Sequence, residues 1–143
     1  MTFDDYDTVF KIWNEISGFG IRSIDDSAEG IKRFLDRNPR TSVVAVEDGI
    51  IVGSILCGHD GRRGSLYHVC VKPEYRRRGI GTEMVAYAMK ALKKEKINKI
   101  TLIAFKRNDC GNAFWNRLGW TFRDDINNYD FVINENNITN FVK

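Results

Sequence analysis

The chain lacks the features that mark several large protein classes. No apolar run approaches the length of a membrane span, so no membrane partner is expected. The first residues, Met1-Thr2-Phe3-Asp4-Asp5, are acidic and unlike a signal peptide. The three cysteines, Cys57, Cys70 and Cys110, are odd in number and far apart, with no C-x-x-C pair and no zinc spacing. They read as reduced thiols of a cytoplasmic protein, with Cys57 and Cys70 inside strands, and no metal is expected. Charge of one sign is not in excess either: 22 Lys+Arg face 19 Asp+Glu, a net charge of +3. That balance argues against a general nucleic-acid binder and leaves any positive charge local. There is no internal repeat and no linker, so residues 1–143 read as one domain. The Asn-rich tail, 134–143, reads as a flexible segment in which Ile138, Phe141 and Val142 could dock.

What is present centres on residues 69–82, Val-Cys-Val-Lys-Pro-Glu-Tyr-Arg-Arg-Arg-Gly-Ile-Gly-Thr. Leu66, Val69 and Val71 suit a buried strand. Pro73 has no N–H for a ladder and should end it. After Gly81, the apolar residues Val85, Ala88 and Leu92 fall at helical spacing, with Met84 and Ala91 beside them. The first turn of such a helix carries unpaired N–H groups at the positive end of its dipole. Gly79 and Gly81 would let an anion approach that backbone, and Arg76, Arg77 and Arg78 add charge beside it. This is the pattern of a phosphate site. It is not a P-loop, because G-x-x-x-x-G-K-[ST] is absent. It is not a dinucleotide fingerprint, because G-x-G-x-x-G with its distant acidic residue is absent.

The rest of the chain supplies a frame for that site. Thr2 can cap a first helix whose apolar face is Phe3, Tyr6, Val9, Phe10, Trp13 and Ile16, ended by Gly18 and Gly20. A second helix starts at Asp26 or Ser27, uses Ile31, Phe34 and Leu35, and stops at Asn38-Pro39. Val43–Val46 and Ile50–Val52 flank Asp48-Gly49, a hairpin signal. Further strands are expected at 65–71 and 100–105, a short helix from Asp109 or Cys110 to Leu118, and two last strands at Trp120–Phe122 and Tyr129–Ile133. The long helix between strands 65–71 and 100–105 implies a right-handed parallel crossover beside the antiparallel hairpin. The expected fold is α/β: a central mixed β-sheet flanked by helices.

The R-x-x-G-x-G of Arg76, Gly79 and Gly81, preceded by V-x-V-x-P-E-Y, resembles the acetyl-CoA site of the GCN5-related N-acetyltransferases. The run Asn108 to Trp120 is similar to that family's N-x-x-A-x-x-F-Y-x-x-x-G-F, with Asn108, Phe114 and Gly119 matching, Gly111 for the usual small residue and Trp120 for the aromatic. The resemblance covers the chain from the first helix to about Ile133. It implies acetyl-CoA as co-substrate, its pyrophosphate on the amides of Gly79, Ile80, Gly81 and Thr82, its pantetheine along Val69, Cys70 and Val71, and contacts from Asn108 and Phe114. There are two departures. The family opens with a strand before its first helix, so either the sheet lacks an edge strand or the true start lies upstream. And Trp115 stands where many members carry a tyrosine that protonates the leaving thiolate; indole donates a hydrogen bond but does not titrate.

The implied reaction is attack of a primary amine on the thioester in a ternary complex. A free lysine amine, with pKa about 10.4, is neutral in only about one molecule in 2,500 at pH 7, so a proton acceptor is required. His68 is one candidate, although strict alternation puts it on the wrong side of the strand unless a bulge rotates it. His59 with Asp60, and a chain of waters, are others. Tyr67 is the candidate substitute for the missing acid. Trp13, Phe19, Ile21 and Arg22 are candidate acceptor contacts, against the alternative that Trp13 is core. The acceptor is left open among small amines, amino acids, aminoglycosides and protein amines, and homodimerisation is also left open. Two other functional classes compete: a non-catalytic acyl-CoA-sensing domain, and a nucleic-acid domain using Arg62, Arg63 and Arg76–Arg78.

Overall fold

In the computed structural model, which describes residues 1–143, the periodic stripes become two helices on one face of a sheet. A 3-10 turn at Phe3–Asp5, held by the Thr2 N–H donating to Asp5 Oδ2 at 2.7 Å, leads into α1, Tyr6–Glu15. A short strand β1, Gly20–Arg22, and a turn follow. Helix α2, Ala28–Arg37, begins where Ser27 Oγ accepts the N–H of Gly30 at 3.1 Å. A side chain at Gly30 would run into the carbonyl oxygens of Ile24 and Asp25, so α2 sits directly on that turn.

Strand β2, Val43–Glu47, and β3, Ile50–His59, form the expected hairpin, with Asp48 and Gly49 both at positive φ. Strand β4, Gly64–Val71, lies antiparallel to β3. Helix α3, Ile80–Lys94, carries the chain across to β5, Ile100–Thr101, which pairs parallel with β4. The sheet order is β2-β3-β4-β5. Alternation along the strands splits the core in two. Leu56 and Cys70 face α1 and α2, with Val9, Ile12, Trp13, Ile31 and Leu35. Ile55, Cys57 and Leu66 face α3, with Met84, Val85, Ala88 and Leu92.

The C-terminal third differs from expectation. The strand expected at 100–105 is paired only at Ile100 and Thr101. Beyond Ser65, β4 and β5 diverge, so Leu102–Phe105 has no ladder partner. The strands expected at Trp120–Phe122 and Tyr129–Ile133 do not form: residues 121–133 make no main-chain to main-chain hydrogen bond, and Tyr129, Phe131 and Ile133 are exposed. β-Propensity describes a fit to a pleated surface, and here no neighbouring edge supplies one. The short helix does form as α4, Asp109–Arg117. The tail docks through β6, Thr139–Phe141, antiparallel to β1, with Val142 packed on the first core.

Candidate active site

The geometry of the site starts with an irregularity in β4. Ser54 pairs with Cys70, and Leu56 pairs with Tyr67. One residue of β3, Ile55, therefore faces two of β4, His68 and Val69. This is a β-bulge, and His68 takes φ 48° within it. The bulge cancels one step of alternation. His68 thus stays on the α1/α2 side with Tyr67, while Val69 and Val71 lie with the α3 core.

On that side His68 is held from three directions. Its ring lies 4.5 Å from the Trp13 ring and 5.4 Å from the Phe19 ring. Its Nε2 lies 2.7 Å from Asp26 Oδ1, with side-chain exposures of 16% and 8%. Asp26 Oδ2 accepts the Arg22 N–H at 2.7 Å, and the Asp26 carbonyl accepts the Tyr6 hydroxyl at 2.9 Å. Burial, then the nearby Asp26 and Asp7 carboxylates, raise the Tyr6 pKa. A carboxylate only accepts hydrogen bonds, so the shared proton sits on Nε2 of the imidazole. A neutral His68 then presents its lone pair at Nδ1. Trp13 proves to be core: it is fully buried, and its Nε1 donates to Ser54 Oγ at 2.9 Å. Ile21 is also buried, whereas Phe19 and Arg22 are partly exposed.

The second part of the site is the α3 N-terminus. After β4, Pro73–Tyr75 makes a 3-10 turn. Arg77 and Gly79 both adopt positive φ, 63° and 81°. Gly79 is the N-cap residue of α3, and no side chain caps that end. The Glu83 N–H is bonded to the Gly79 carbonyl, so the amides of Ile80, Gly81 and Thr82 precede the helical ladder and are free for an anion. The three arginines differ. Arg76 Nε donates to the Val71 carbonyl at 2.9 Å. Arg78 forks onto Glu47 of β2, with Nη1 at 3.0 Å from Oε2 and Nη2 at 2.5 Å from Oε1. It lies over the Tyr75 ring and braces the loop against the hairpin. Arg77 makes no hydrogen bond or ion pair within the chain. The two glycines also differ. A Cβ at Gly79 would meet nothing within 4 Å, whereas one at Gly81 would touch the Phe114 ring at 3.4 Å and Val71 Cγ2 at 3.8 Å. Gly81 therefore serves close packing between α3 and α4.

Between these parts lies the cleft opened by the divergence of β4 and β5. Lys72 N–H donates to the Val52 carbonyl across β3, so the main chain of Val71 faces the other way, into the cleft. The Arg76 contact to Val71 O agrees with that direction. Cys70 packs inward instead: its Sγ lies 3.5 Å from Ser54 Oγ, and burial raises its pKa. Asn108 Oδ1 caps α4 by accepting the Gly111 N–H at 2.9 Å. Phe114, Trp115 and Trp120 form an aromatic triplet, with centroids 4.9 Å apart at each step, against the α3 core. Trp115 is thus a packing residue in this arrangement. Tyr67 is half exposed, edge-on to Phe34 at 6.0 Å, and its hydroxyl has no partner in the chain. His59 and Asp60 belong to the β3–β4 turn: His59 Nδ1 accepts the Gly61 N–H, and Asp60 accepts those of Arg62 and Arg63. These bonds lower the Asp60 pKa. The bulge that the sequence left as a condition for His68 is present, whereas Asp26 as the partner of His68 and Glu47 as the partner of Arg78 escaped the sequence; no local signal announces them.

The sequence and the fold have counterparts in known proteins. The model of the Acetyltransferase (GNAT) family matches residues 6–120, and the chain belongs to that family. An acetyltransferase of Yersinia pestis (strain Pestoides F) is 31% identical over 123 residues, 86% of each chain. Two solved structures share the fold. One is a PaiA N-acetyltransferase from Thermoplasma acidophilum in complex with coenzyme A (TM-score 0.73, 20% identity, 87% and 88% of the two chains). The other is an aminoglycoside acetyltransferase from an uncultured soil metagenomic sample in complex with sisomicin (TM-score 0.71, 16% identity, 94% and 93%). The family thereby established is one of acetyltransferases. The chain has no helix long and apolar enough to cross a membrane.

Proposed function

We propose that the protein transfers an acetyl group from acetyl-CoA to a primary amine, with His68 as the base on the acceptor side. The observation that carries this reading is the bulge at His68–Val69. It turns an imidazole toward the α1/α2 face beside the point where β4 leaves β5 and opens the cleft. Bound acetyl-CoA would supply the activated acyl group. The amides of Ile80, Gly81 and Thr82, with Arg77, suit its phosphates, and the Val71 main chain suits the pantetheine arm. The family resemblance adds Asn108 and Phe114 as further coenzyme contacts.

The chain's own residues divide the work. His68 Nδ1 accepts a proton from the acceptor's ammonium, directly or through one water, so that the neutral amine attacks the thioester carbon, while Asp26 holds the opposite nitrogen. Tyr67, whose hydroxyl is free on the same face, is the proton donor to the departing sulfur. General acid or base help of this kind is typically worth about 10² to 10⁴ in rate. The acceptor is a primary amine that enters past Phe19, Arg22 and Phe34.

The first experiment is acetyl-CoA turnover with a panel of simple amines, amino acids, aminoglycosides and peptide amines, alongside thermal shift with acetyl-CoA. A ligand at 100 times its Kd adds about 2.7 kcal/mol to stability. Wild type is expected to show both the shift and turnover, and His68→Gln is expected to keep the shift and lose at least about 100-fold in kcat. A His68→Gln variant with wild-type kcat removes His68 as the base. Tight acetyl-CoA binding with no amine acetylated makes the domain an acyl-CoA sensor.

A further inference from the structure

We propose that the C-terminal tail is a positioning element of the active site, acting through Asn137 to set the Asp26–His68 pair. The inference rests on the assignment of His68 as base, and it concerns a residue, Asn137, that lies 112 positions from Asp25 in sequence.

The tail grips the segment 18–26, which supplies two of the three groups around His68. At one end, Gly18 N–H donates to the Val142 carbonyl and Val142 N–H to the Phe19 carbonyl, both at 2.9 Å. These bonds fix the backbone of Phe19, whose ring stacks on the imidazole. In the middle, β6 pairs with β1, Arg22 opposite Thr139, and the Arg22 N–H holds Asp26 Oδ2. At the other end lies the turn at 23–26. Ser23 N–H donates to the Ile138 carbonyl at 2.9 Å, and Ile138 N–H donates back to Ser23 Oγ at 2.9 Å. Ser23 Oγ in turn donates to the Asn136 carbonyl at 2.8 Å.

Asn137 completes the grip. Its Oδ1 accepts the N–H groups of Ile24 at 3.1 Å and Asp25 at 3.3 Å, and its Nδ2 donates to Asp25 Oδ2 at 2.8 Å. One side chain thus spans the Ser23–Ile24 and Ile24–Asp25 peptide units, one residue ahead of Asp26. On the α2 side, Gly30 lies so close to the carbonyls of Ile24 and Asp25 that a side chain there would collide with them. The turn is closed between α2 and the tail, and the carboxylate of Asp26 has one orientation, toward Nε2 of His68. A general base displaced by about 1 Å can cost about 100-fold in rate, so the clamp is large enough in effect to be measured.

The test uses the full chain with Asn137→Ala. Two readouts separate positioning from mere structure. The first is the proton on His68 Nε2, read by long-range 1H–15N NMR; the chain has only two histidines, so His59→Gln assigns the signals. In wild type the Nε2 proton is expected to be hydrogen-bonded and protected from exchange. In Asn137→Ala it is expected to broaden or vanish while the fold and the acetyl-CoA KM stay within twofold. The second readout is kcat for the amine, expected to fall about 10- to 100-fold. If Asn137→Ala does not fold, Ser23→Ala, which removes the hydroxyl contacts to Asn136 and Ile138, is read in the same way. An unchanged Nε2 signal together with kcat within twofold of wild type overturns the proposal. If wild type acetylates no amine, the functional reading fails, but the NMR measurement still decides whether the tail sets the pair.

Discussion

Replacing the two glycines of the proposed phosphate loop separately tests which one faces the ligand. From sequence, both look like positions where phosphate needs a bare backbone. The structure divides them. Gly81 has an ordinary helical backbone, and its absent side chain points at Phe114 and Val71, with the nearest atoms at 3.4 Å. That distance is van der Waals contact, so Gly81→Ala fits. Alanine also gains up to about 1 kcal/mol in helix propensity over glycine. For a domain of this size a kilocalorie shifts Tm by roughly 3–5 °C, so Gly81→Ala is expected to raise Tm by up to that amount and leave the Kd for coenzyme A within about threefold. Gly81→Val adds two methyl groups beyond the Cβ against the Phe114 ring, an overpacking of about 1–3 kcal/mol, and lowers Tm instead. At Gly79 the space is open but φ is 81°, which costs a non-glycine residue about 1–2 kcal/mol. Gly79→Ala is expected to lower Tm by roughly 3–10 °C. It should also weaken coenzyme A binding about tenfold, because the bend at the N-cap aims the free amides. Differential scanning fluorimetry and calorimetric titration with coenzyme A read both quantities. A Gly81→Ala protein with normal Tm and more than a tenfold loss of affinity would place that glycine against the phosphate and refute the packing argument.

Tyr67→Phe is expected to lower kcat at least about tenfold with acetyl-CoA KM unchanged, while Trp115→Phe leaves kcat within twofold; steady-state kinetics on any acetylated amine gives both, and a silent Tyr67→Phe removes Tyr67 from the mechanism. Of the three thiols, only Cys110 is exposed, so a chromogenic disulfide reagent at pH 8 is expected to titrate one thiol in the native protein and three in denaturant. Burial pushes the Cys57 thiol up to about 12. An acid whose native pKa is raised stabilises the fold below its unfolded value, about 9, and loses that contribution as pH climbs from 9 toward 12. Tm is therefore expected to fall over pH 9–11, and to fall less steeply in Cys57→Ala.

By itself the sequence determined the features that short stretches encode. The α1 and α2 stripes, the Asp48-Gly49 hairpin, the stop at Pro73, the uncapped glycine start of α3 and the Asn108 cap of α4 are set by periodicity, turn chemistry and backbone freedom within about one element. These sufficed for the mixed sheet, the parallel crossover and the family. Only the tertiary structure decided which side of the sheet His68 faces and what surrounds it. Whether His68 faces α1 or α3 depends on a register slip between two strands, and a slip of one residue moves a side chain to the other face. Its partner Asp26 lies 42 residues away, Glu47 lies 31 from Arg78, and Asn137 lies 112 from Asp25. Such pairs follow from how elements stack, and no local pattern carries them. The same reason explains the error at the C-terminus. Tyr129–Ile133 has the composition of a strand, but a ladder needs a free edge at the right place, and β1 offered its edge to Thr139–Phe141 instead.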